Sequence, residues 1–208
     1  MSSKNDDIGP ERRLRGRPRV SVQKDALEAA TCVFWSEGYE AASVDQLCRA
    51  MKMPRASLYQ AFGDKEHLFL AAINHYGDTR VRPLAAALGP SGSLRQDLEA
   101  FFESVVDLAT SDAATSGCLI SCVLSDAAGS NPLFRAELDR RYASMESWIA
   151  ERLGMDAGPL SCAPEVMALV LASVARGLTL RARSGATAAV LKPVARAAAL
   201  AFVQPAAV

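Results

Sequence analysis

The side chains with the clearest chemical potential lie in one short run, where an arginine and several hydrogen-bonding groups follow a proline. Arg55 can donate two hydrogen bonds to the O6 and N7 atoms of a guanine, and Gln60 can pair with an adenine. Ala56 lets the backbone approach closely and can touch a thymine methyl group. Ser57 and Tyr59 add hydroxyl groups. This run predicts contact with DNA bases. The alternatives are a solvated charge at Arg55 and packing of Tyr59 against the first helix.

Two short helices joined by a tight turn must position these groups. The first should begin at Ser43 with a capping box, because Gln46 stands three residues further on. The turn falls at Lys52-Met53-Pro54, and Pro54 suits the first turn of the next helix. Apolar side chains at helical spacing are those of Val44, Leu47, Met51, Leu58 and Phe62. The pattern predicts a helix-turn-helix whose second helix fits the major groove.

The rest of the sequence predicts an all-α chain. A first helix should start after Ser21 and stop at Gly38, and a fourth should start at Asp64 and end at Pro83. Further helices are predicted near 94–111, 118–128, 132–153, 164–184 and 188–203, and Pro193 either kinks the last helix or begins it. We therefore divide the chain into a flexible basic arm (1–20), a three-helix helix-turn-helix domain (21–65) and a C-terminal helical domain (66–208).

Positive charge is concentrated at the end of the chain that carries the helix-turn-helix. The net charge is zero overall, yet residues 1–65 carry +2 and residues 66–208 carry −2. Five arginines and no acid lie between Arg12 and Arg19. Arg17 and Arg19, in a segment extended by proline, could lie in a minor groove or along phosphates, or could form an idle arm.

The N-terminal part, from Gly16 to about Tyr76, resembles the tetracycline-repressor-like (TetR) family of bacterial transcription regulators. The resemblance rests on Gly-Arg-Pro-Arg (16–19), Ala-Leu-Glu-Ala-Ala (26–30), Phe34 with Gly38-Tyr39, Ser43-Val44, Ser57-Leu58-Tyr59 and Phe62-Gly63-Asp64-Lys65-Glu66. Phe34-Trp35 with Ala-Phe-Gly-Asp-Lys (61–65) is similar to the branch that contains the acrylate-responsive regulators. The resemblance implies that Ser43, Tyr59 and Lys65 hold DNA phosphates.

The turn departs from the family pattern at two positions. The family usually has glycine where this chain has Lys52, and a polar cap where it has Pro54. We expect the lysine to be tolerated if its φ stays negative, and we expect the first amides of the recognition helix to lack a side-chain cap. These departures should alter the fine docking on DNA and leave the fold unchanged.

The resemblance implies that the C-terminal domain binds a small-molecule effector between its helices. The predicted pocket residues are Phe101, Phe102, Val105, Cys118, Leu119, Cys122, Tyr142, Trp148 and Met167. A mostly apolar pocket with few charges would suit an apolar or electrophilic effector. The alternative for each residue is ordinary core packing.

The five cysteines predict reduced thiols in a cytosolic bacterial protein, since their number is odd and no CxxC pair occurs. If a helix starts near Gly117, Cys118 lies in its first turn, where the helix dipole lowers a thiol pKa. Cys118 could therefore sense oxidants or electrophiles; simple packing is the alternative. A Cys118–Cys122 disulfide within one helix would be strained.

No residue cluster predicts an enzyme, a metal site or a cofactor. His67 and His75 are eight residues apart and cannot chelate one ion as an i, i+4 pair can, and no GxSxG, HExxH or P-loop is present. The alternative of an all-helical enzyme or binding protein without DNA function would be indicated by a cluster of catalytic groups, and the sequence shows no such cluster. The longest apolar stretch, 163–180, contains Pro164, Glu165 and Arg176, which argues against a membrane span.

The last two helices are rich in alanine, which lets helices approach closely. The family pairs these helices across a two-fold axis as a four-helix bundle, and internal packing is the alternative. Two recognition helices related by symmetry would read an inverted repeat in double-stranded DNA. The sequence predicts a homodimeric repressor on a palindromic operator, released by a small-molecule effector; the alternative is a thiol switch at Cys118.

Overall fold

The computed structural model describes residues 19–155, 160 and 162–202. Within these residues the chain is helical and contains no strand, as predicted. The α-helices are α1 (Arg19–Glu37), α2 (Val44–Met51), α3 (Arg55–Phe62), α4 (Lys65–Tyr76), α5 (Arg82–Ala87), α6 (Leu94–Thr110), α7 (Ser125–Ala127), α8 (Pro132–Gly154), α9 (Pro164–Arg183) and α10 (Ala188–Phe202). A first π-helical segment, Gly77–Val81, joins α4 to α5, and a second, Leu119–Leu124, precedes α7.

Local capping signals fix the ends of the N-terminal helices. The Ser43 hydroxyl accepts a hydrogen bond from the Gln46 amide at 3.2 Å, and the Ser43 amide donates to the Gln46 side chain at 2.8 Å, which completes the predicted capping box. Asp64 caps α4 through the His67 amide at 2.8 Å. Four aromatic rings, from Phe34, Tyr39, Phe69 and Phe134, then pack together with ring centroids 4.8–6.2 Å apart; Phe34 and Tyr39 are stacked, and the other pairs are edge to face or tilted. This cluster joins α1, α4 and α8.

The fourth helix does not end at Pro83, so that prediction is wrong. The chain remains helical from α4 through the first π-helical segment into α5, where Pro83 lies at the start. In the wider turn the Arg82 amide donates to the Gly77 carbonyl, five residues back. The missing N–H of Pro83 falls in the first turn of α5, where a proline is tolerated.

Two other predicted helix boundaries change. The backbone of α1 is helical from Arg19, two residues before the expected Ser21 cap, so Arg19 opens a helix and is not part of a free arm. Arg17 and the rest of residues 1–18 lie outside the described residues. Pro193 lies inside α10, which begins at Ala188, so a helix start at Pro193 is wrong.

A buried ion pair fastens the C-terminal helices. Asp97, near the start of α6, is 2% exposed and accepts from Arg152 Nε, near the end of α8, at 2.8 Å. The Ser91 hydroxyl also donates to Asp97, at 2.9 Å. Burial is the largest influence and raises the pKa of Asp97, but the hydrogen bonds from Ser91 and Arg152 outweigh it and hold the pKa below its usual value. None of the described helices has an apolar stretch long enough to cross a bilayer.

Candidate nucleic-acid interface and effector cavity

The third helix turns nearly all of its side chains to solvent. Leu58 is fully buried and Phe62 is half-buried against the core, which anchors α3 to its domain. The exposed residues are the predicted base- and phosphate-contacting set, Arg55, Ala56, Ser57, Tyr59 and Gln60. Tyr59 is 40% exposed, so its ring is not packed into the core, and its phosphate contact stays a prediction. One face of α3 thus packs against the domain, and the other is exposed to solvent.

Arg55 is held in place across the turn. Its guanidinium donates to the Asp45 carboxylate and to the Tyr59 hydroxyl, each at 3.4 Å, and lies 5.8 Å from the centre of the Tyr59 ring. The hydrogen bond to Tyr59, followed by the charge of Asp45, raises the pKa of Arg55 still further. The arginine therefore remains a cation, and its present partners are exposed and weakly held.

The turn before α3 contains a lysine in the left-handed conformation. Lys52 has φ +51° and ψ +41°, so the turn accommodates the lysine without the negative φ on which its tolerance was expected to depend. Its amide donates to the Arg49 carbonyl at 3.2 Å, which closes the end of α2 as a C-terminal glycine would. Pro54 precedes α3 without a side-chain cap, as predicted.

The predicted phosphate contacts at Ser43 and Lys65 differ in their surroundings. Ser43 is exposed at the start of α2. Lys65 is half-buried: its ammonium donates to the Glu40 carbonyl at 3.2 Å and lies 4.5 Å from the centre of the Tyr39 ring. Burial lowers the pKa of Lys65. Lys65 thus fastens the start of α4 to the loop before α2, while an ammonium still has further N–H donors for a phosphate.

A cavity of about 170 Å³ lies between α4, α5, α6, α8, α9 and the two π-helical segments. Four of the predicted effector residues line it: Val105, Cys118, Tyr142 and Trp148. The other five do not. Phe101, Phe102, Leu119 and Met167 are buried in the core, and Cys122 is half-buried outside the lining.

The expectation of few charges in this cavity is wrong. Its lining includes the charged residues Asp78, Arg82, Arg140, Arg141 and Arg176. Arg141 and its partner Glu137 are only 14% and 12% exposed, with 2.6 Å between Arg141 Nε and Glu137 Oε1. The sequence contains a signal for this group, since Glu137 precedes Arg140 and Arg141 by three and four residues on one helix.

Cys118 precedes the helical turn in which it was expected. Its backbone is extended (φ −131°, ψ 128°) at the cap of the second π-helical segment, which begins at Leu119. The side chain is buried and lines the cavity. Cys122 follows one turn later, and burial raises its pKa, which disfavours its thiolate. Both thiols are unbridged.

Comparisons with known proteins agree with this arrangement. A family profile described as "Bacterial regulatory proteins, tetR family" matches residues 26–72. The chain is 30% identical to the HTH-type transcriptional repressor BdcR of Escherichia coli (strain K12), with 83% of this chain and 85% of BdcR covered. It is 27% identical to the repressor ComR of the same strain, covering 88% and 90% of the two chains.

A solved structure of the TetR family regulator CifR, a cysteine variant in complex with 26-bp operator DNA, has the same fold. Its TM-score is 0.79 at 30% identity, with 90% of this chain and all of the CifR chain covered. The match therefore extends across both the helix-turn-helix and the cavity-forming helices. This chain belongs to the tetR family of bacterial regulatory proteins, which are DNA-binding transcriptional regulators and not enzymes.

Proposed function

We propose that this protein is a homodimeric transcriptional repressor that reads an inverted-repeat operator with α3 and is released by a small molecule in the C-terminal cavity. One observation carries the proposal. Leu58 anchors α3 in the core, and the exposed side of α3 carries an arginine, two hydroxyl groups and an amide group. A similar chain, CifR, is known on operator DNA. BdcR and ComR are both named repressors.

The position of each side chain determines whether we assign it to DNA bases or to phosphates. Arg55 and Gln60 lie on the exposed face of α3 and would read base edges, while Ala56 allows close approach. Tyr59, Ser43 and Lys65 would hold phosphates and fix the register of the helix in the groove. Arg17 and Arg19 would add contacts from the N-terminal side.

The exposed faces of α9 and α10 support dimerisation. Seven large apolar side chains on these two helices are 38–55% exposed: Val166, Leu169, Val170, Leu180, Val190, Val194 and Leu200. Gly177 lies among them, and a Cβ there would have no neighbour within 4 Å, so a second helix can approach closely. An apolar surface of this kind is characteristic of an interface.

Polar contacts help to couple the cavity helices to the DNA-binding helices. The side-chain amide nitrogen of Asn131, the residue that caps α8, donates to the Glu66 carboxylate in the first turn of α4 at 2.5 Å. His75, near the end of α4, lies 2.9 Å from the Glu28 carboxylate on α1. A ligand that moves α8 against α4 would therefore change the position of α3, which packs on α4.

The experiment is a selection of bound fragments from random double-stranded DNA, followed by binding measurements on the enriched site. We expect an inverted repeat. The double variant Arg55→Ala/Tyr59→Ala should lose roughly 30-fold to 10⁴-fold in affinity, because each half-site loses a base contact of about 1–3 kcal/mol and a dimer has two.

Arg95→Ala is the matched control, since Arg95 is also an exposed arginine, paired with Glu99 on α6. It should leave operator affinity unchanged. Full affinity in the Arg55/Tyr59 double variant would contradict the assignment of α3. A selection that enriches no sequence would contradict operator recognition itself.

A thiol switch at Cys118 is a second candidate, favoured by one observation. The Cys118 side chain lines the cavity, so an electrophile that enters the cavity meets it. The CifR chain on DNA is itself a variant with replaced cysteines. Release of the operator by N-ethylmaleimide should be lost in Cys118→Ser and kept in Cys162→Ser, whose parent thiol is exposed elsewhere. Release that persists in Cys118→Ser would exclude this switch.

A further inference from the structure

We propose that the cavity binds a small organic carboxylate with a short apolar body, and that this ligand takes Arg140 and Arg141 away from Asn74 on α4. The inference rests on the proposed function only in treating the ligand as the effector. The charges, the apolar lining and the contacts of Asn74 support it separately.

The arginine pair has too few negative partners. Glu137 accepts from Arg140 Nε at 2.9 Å, from a terminal nitrogen of Arg140 at 2.7 Å and from Arg141 Nε at 2.6 Å. One carboxylate therefore serves two guanidinium groups. The second shared acceptor is the neutral amide oxygen of Asn74, which receives Arg140 at 3.1 Å and also Arg141. The pair keeps one uncompensated positive charge.

The remaining charged residues of the lining do not cancel the excess positive charge of Arg140 and Arg141. Arg176 donates to Glu146 at 3.0 Å and lies 4.4 Å from the centre of the Tyr142 ring. Arg82 and Asp78 form a 3.2 Å pair that is mostly exposed and therefore screened by solvent. Counting Glu137 and Glu146 with Asp78, three carboxylates face four arginines. Because Arg141 and Arg176 are only about 15% exposed, an anion would meet them in a partly desolvated site.

The rest of the lining sets the shape of the ligand. Apolar side chains complete the cavity on α5, α6 and α8, namely Leu84, Val105, Leu108, Met145 and Trp148. A molecule with a carboxylate at one end and a hydrocarbon or aromatic body fits both parts of the lining. Guanidinium groups match a carboxylate through two parallel hydrogen bonds.

Gly77 shows how closely the arginine follows α4. A Cβ at Gly77 would lie 2.1 Å from Nη1 of Arg141, so the guanidinium rests directly on the backbone at the end of α4. Asn74 lies one turn earlier. A ligand carboxylate competes with Asn74 for the same donors, and its binding would detach α8 from α4 at this point. Arg140 and Arg141 would thus both bind the carboxylate and, on leaving Asn74, allow α4 to move.

The test uses two matched pairs of probes, hexanoate with hexanamide and benzoate with benzamide, titrated into the full-length protein by calorimetry and thermal shift. We expect at least one carboxylate to bind and its amide to bind about tenfold more weakly or not at all. Arg141→Gln should weaken carboxylate binding at least about tenfold. Arg95→Gln, the exposed control on α6, should leave it unchanged.

Asn74→Ala gives a result that a merely structural role for the arginines would not. Removal of the competing acceptor frees the arginine donors, so the carboxylate should bind several-fold more tightly, the opposite of the change in Arg141→Gln. Asn74 is exposed, so this variant keeps the test valid even if Arg141→Gln fails to fold.

Binding of neither carboxylate, equal binding of acid and amide, or weaker binding in Asn74→Ala would each overturn the inference. Failure of the proposed function is distinguishable, because it appears in the DNA selection and not in these titrations. Operator binding without carboxylate binding rejects the ligand class alone.

Discussion

The strongest quantitative prediction concerns Leu169 on the exposed face of α9. Its side chain is 50% exposed in one chain, and burying a whole leucine contributes about 1.5–3 kcal/mol, so docking it against a partner should contribute about 1 kcal/mol. Two-fold symmetry doubles this to about 2 kcal/mol, and Leu169→Glu also places two carboxylates in an apolar interface. We expect the dimer dissociation constant to rise at least about 30-fold.

Sedimentation velocity across a range of protein concentrations measures this change directly. Leu133→Glu is the matched control, because Leu133 is 53% exposed and lies on α8, which is not one of the two helices of the proposed interface. That variant should sediment like the parent protein. An unchanged dimer in Leu169→Glu, or an equal loss in Leu133→Glu, would refute the assignment of the interface.

Two further substitutions test features of the fold. Lys52→Gly should raise the free energy of unfolding by about 0.5–1 kcal/mol, since glycine avoids the cost of a left-handed φ but loses more entropy on folding; urea titrations should show no such gain for Lys52→Ala. Asp97→Asn should lower the free energy of unfolding by about 3–5 kcal/mol, because the buried Arg152 loses its carboxylate partner. The pKa of Asp97 is lowered in the folded state, so its stabilisation should be complete above about pH 4 and lost as the pH falls through the folded pKa. Denaturant titrations from neutral to acidic pH measure both the loss of stability in Asp97→Asn and its dependence on pH. The difference in stability between this variant and the parent should shrink at low pH, and a constant difference would contradict the pH dependence.

Two helix starts followed from local capping signals in the sequence. Ser43 with Gln46, and Asp64, each combine a side-chain cap with neighbouring sequence that favours a helix. The structure places a side-chain cap at both positions. A local signal is not sufficient by itself, since the cap expected at Ser21 is replaced by helical backbone that already begins at Arg19.

Two errors in the backbone arose where the hydrogen bonds at the end of a helix, and not the preference of one residue, set the conformation. Lys52 takes a left-handed φ because the short connection between α2 and α3 must close the end of α2 within two residues. Pro83 does not end its helix because the preceding π-helical segment shifts the hydrogen-bonding partners by one residue. Neither effect can be read from residue type alone.

The cavity of the C-terminal domain was the least predictable part of the molecule. Helical spacing identifies inward-facing side chains, but it does not separate those that fill the core, such as Phe101, from those that border empty space, such as Trp148. Arg141 and Arg176 would be assigned to the surface by composition. They face inward because Glu137 and Glu146 accompany them.

The first π-helical segment, Gly77–Val81, has a consequence for insertions and deletions, because it lies between two α-helices. A π-helical turn holds one residue more than the α-helix it interrupts, while the helix on either side keeps its faces toward the same neighbours. Single-residue deletions elsewhere in α4 or α8 would rotate every following side chain by about 100°. A deletion within Gly77–Val81 would instead restore a regular helix and remove the wide turn that borders the cavity. Changes in chain length at Gly77–Val81 can therefore reshape the cavity, while the helices that precede this segment, α1 to α4, keep their packing on one another.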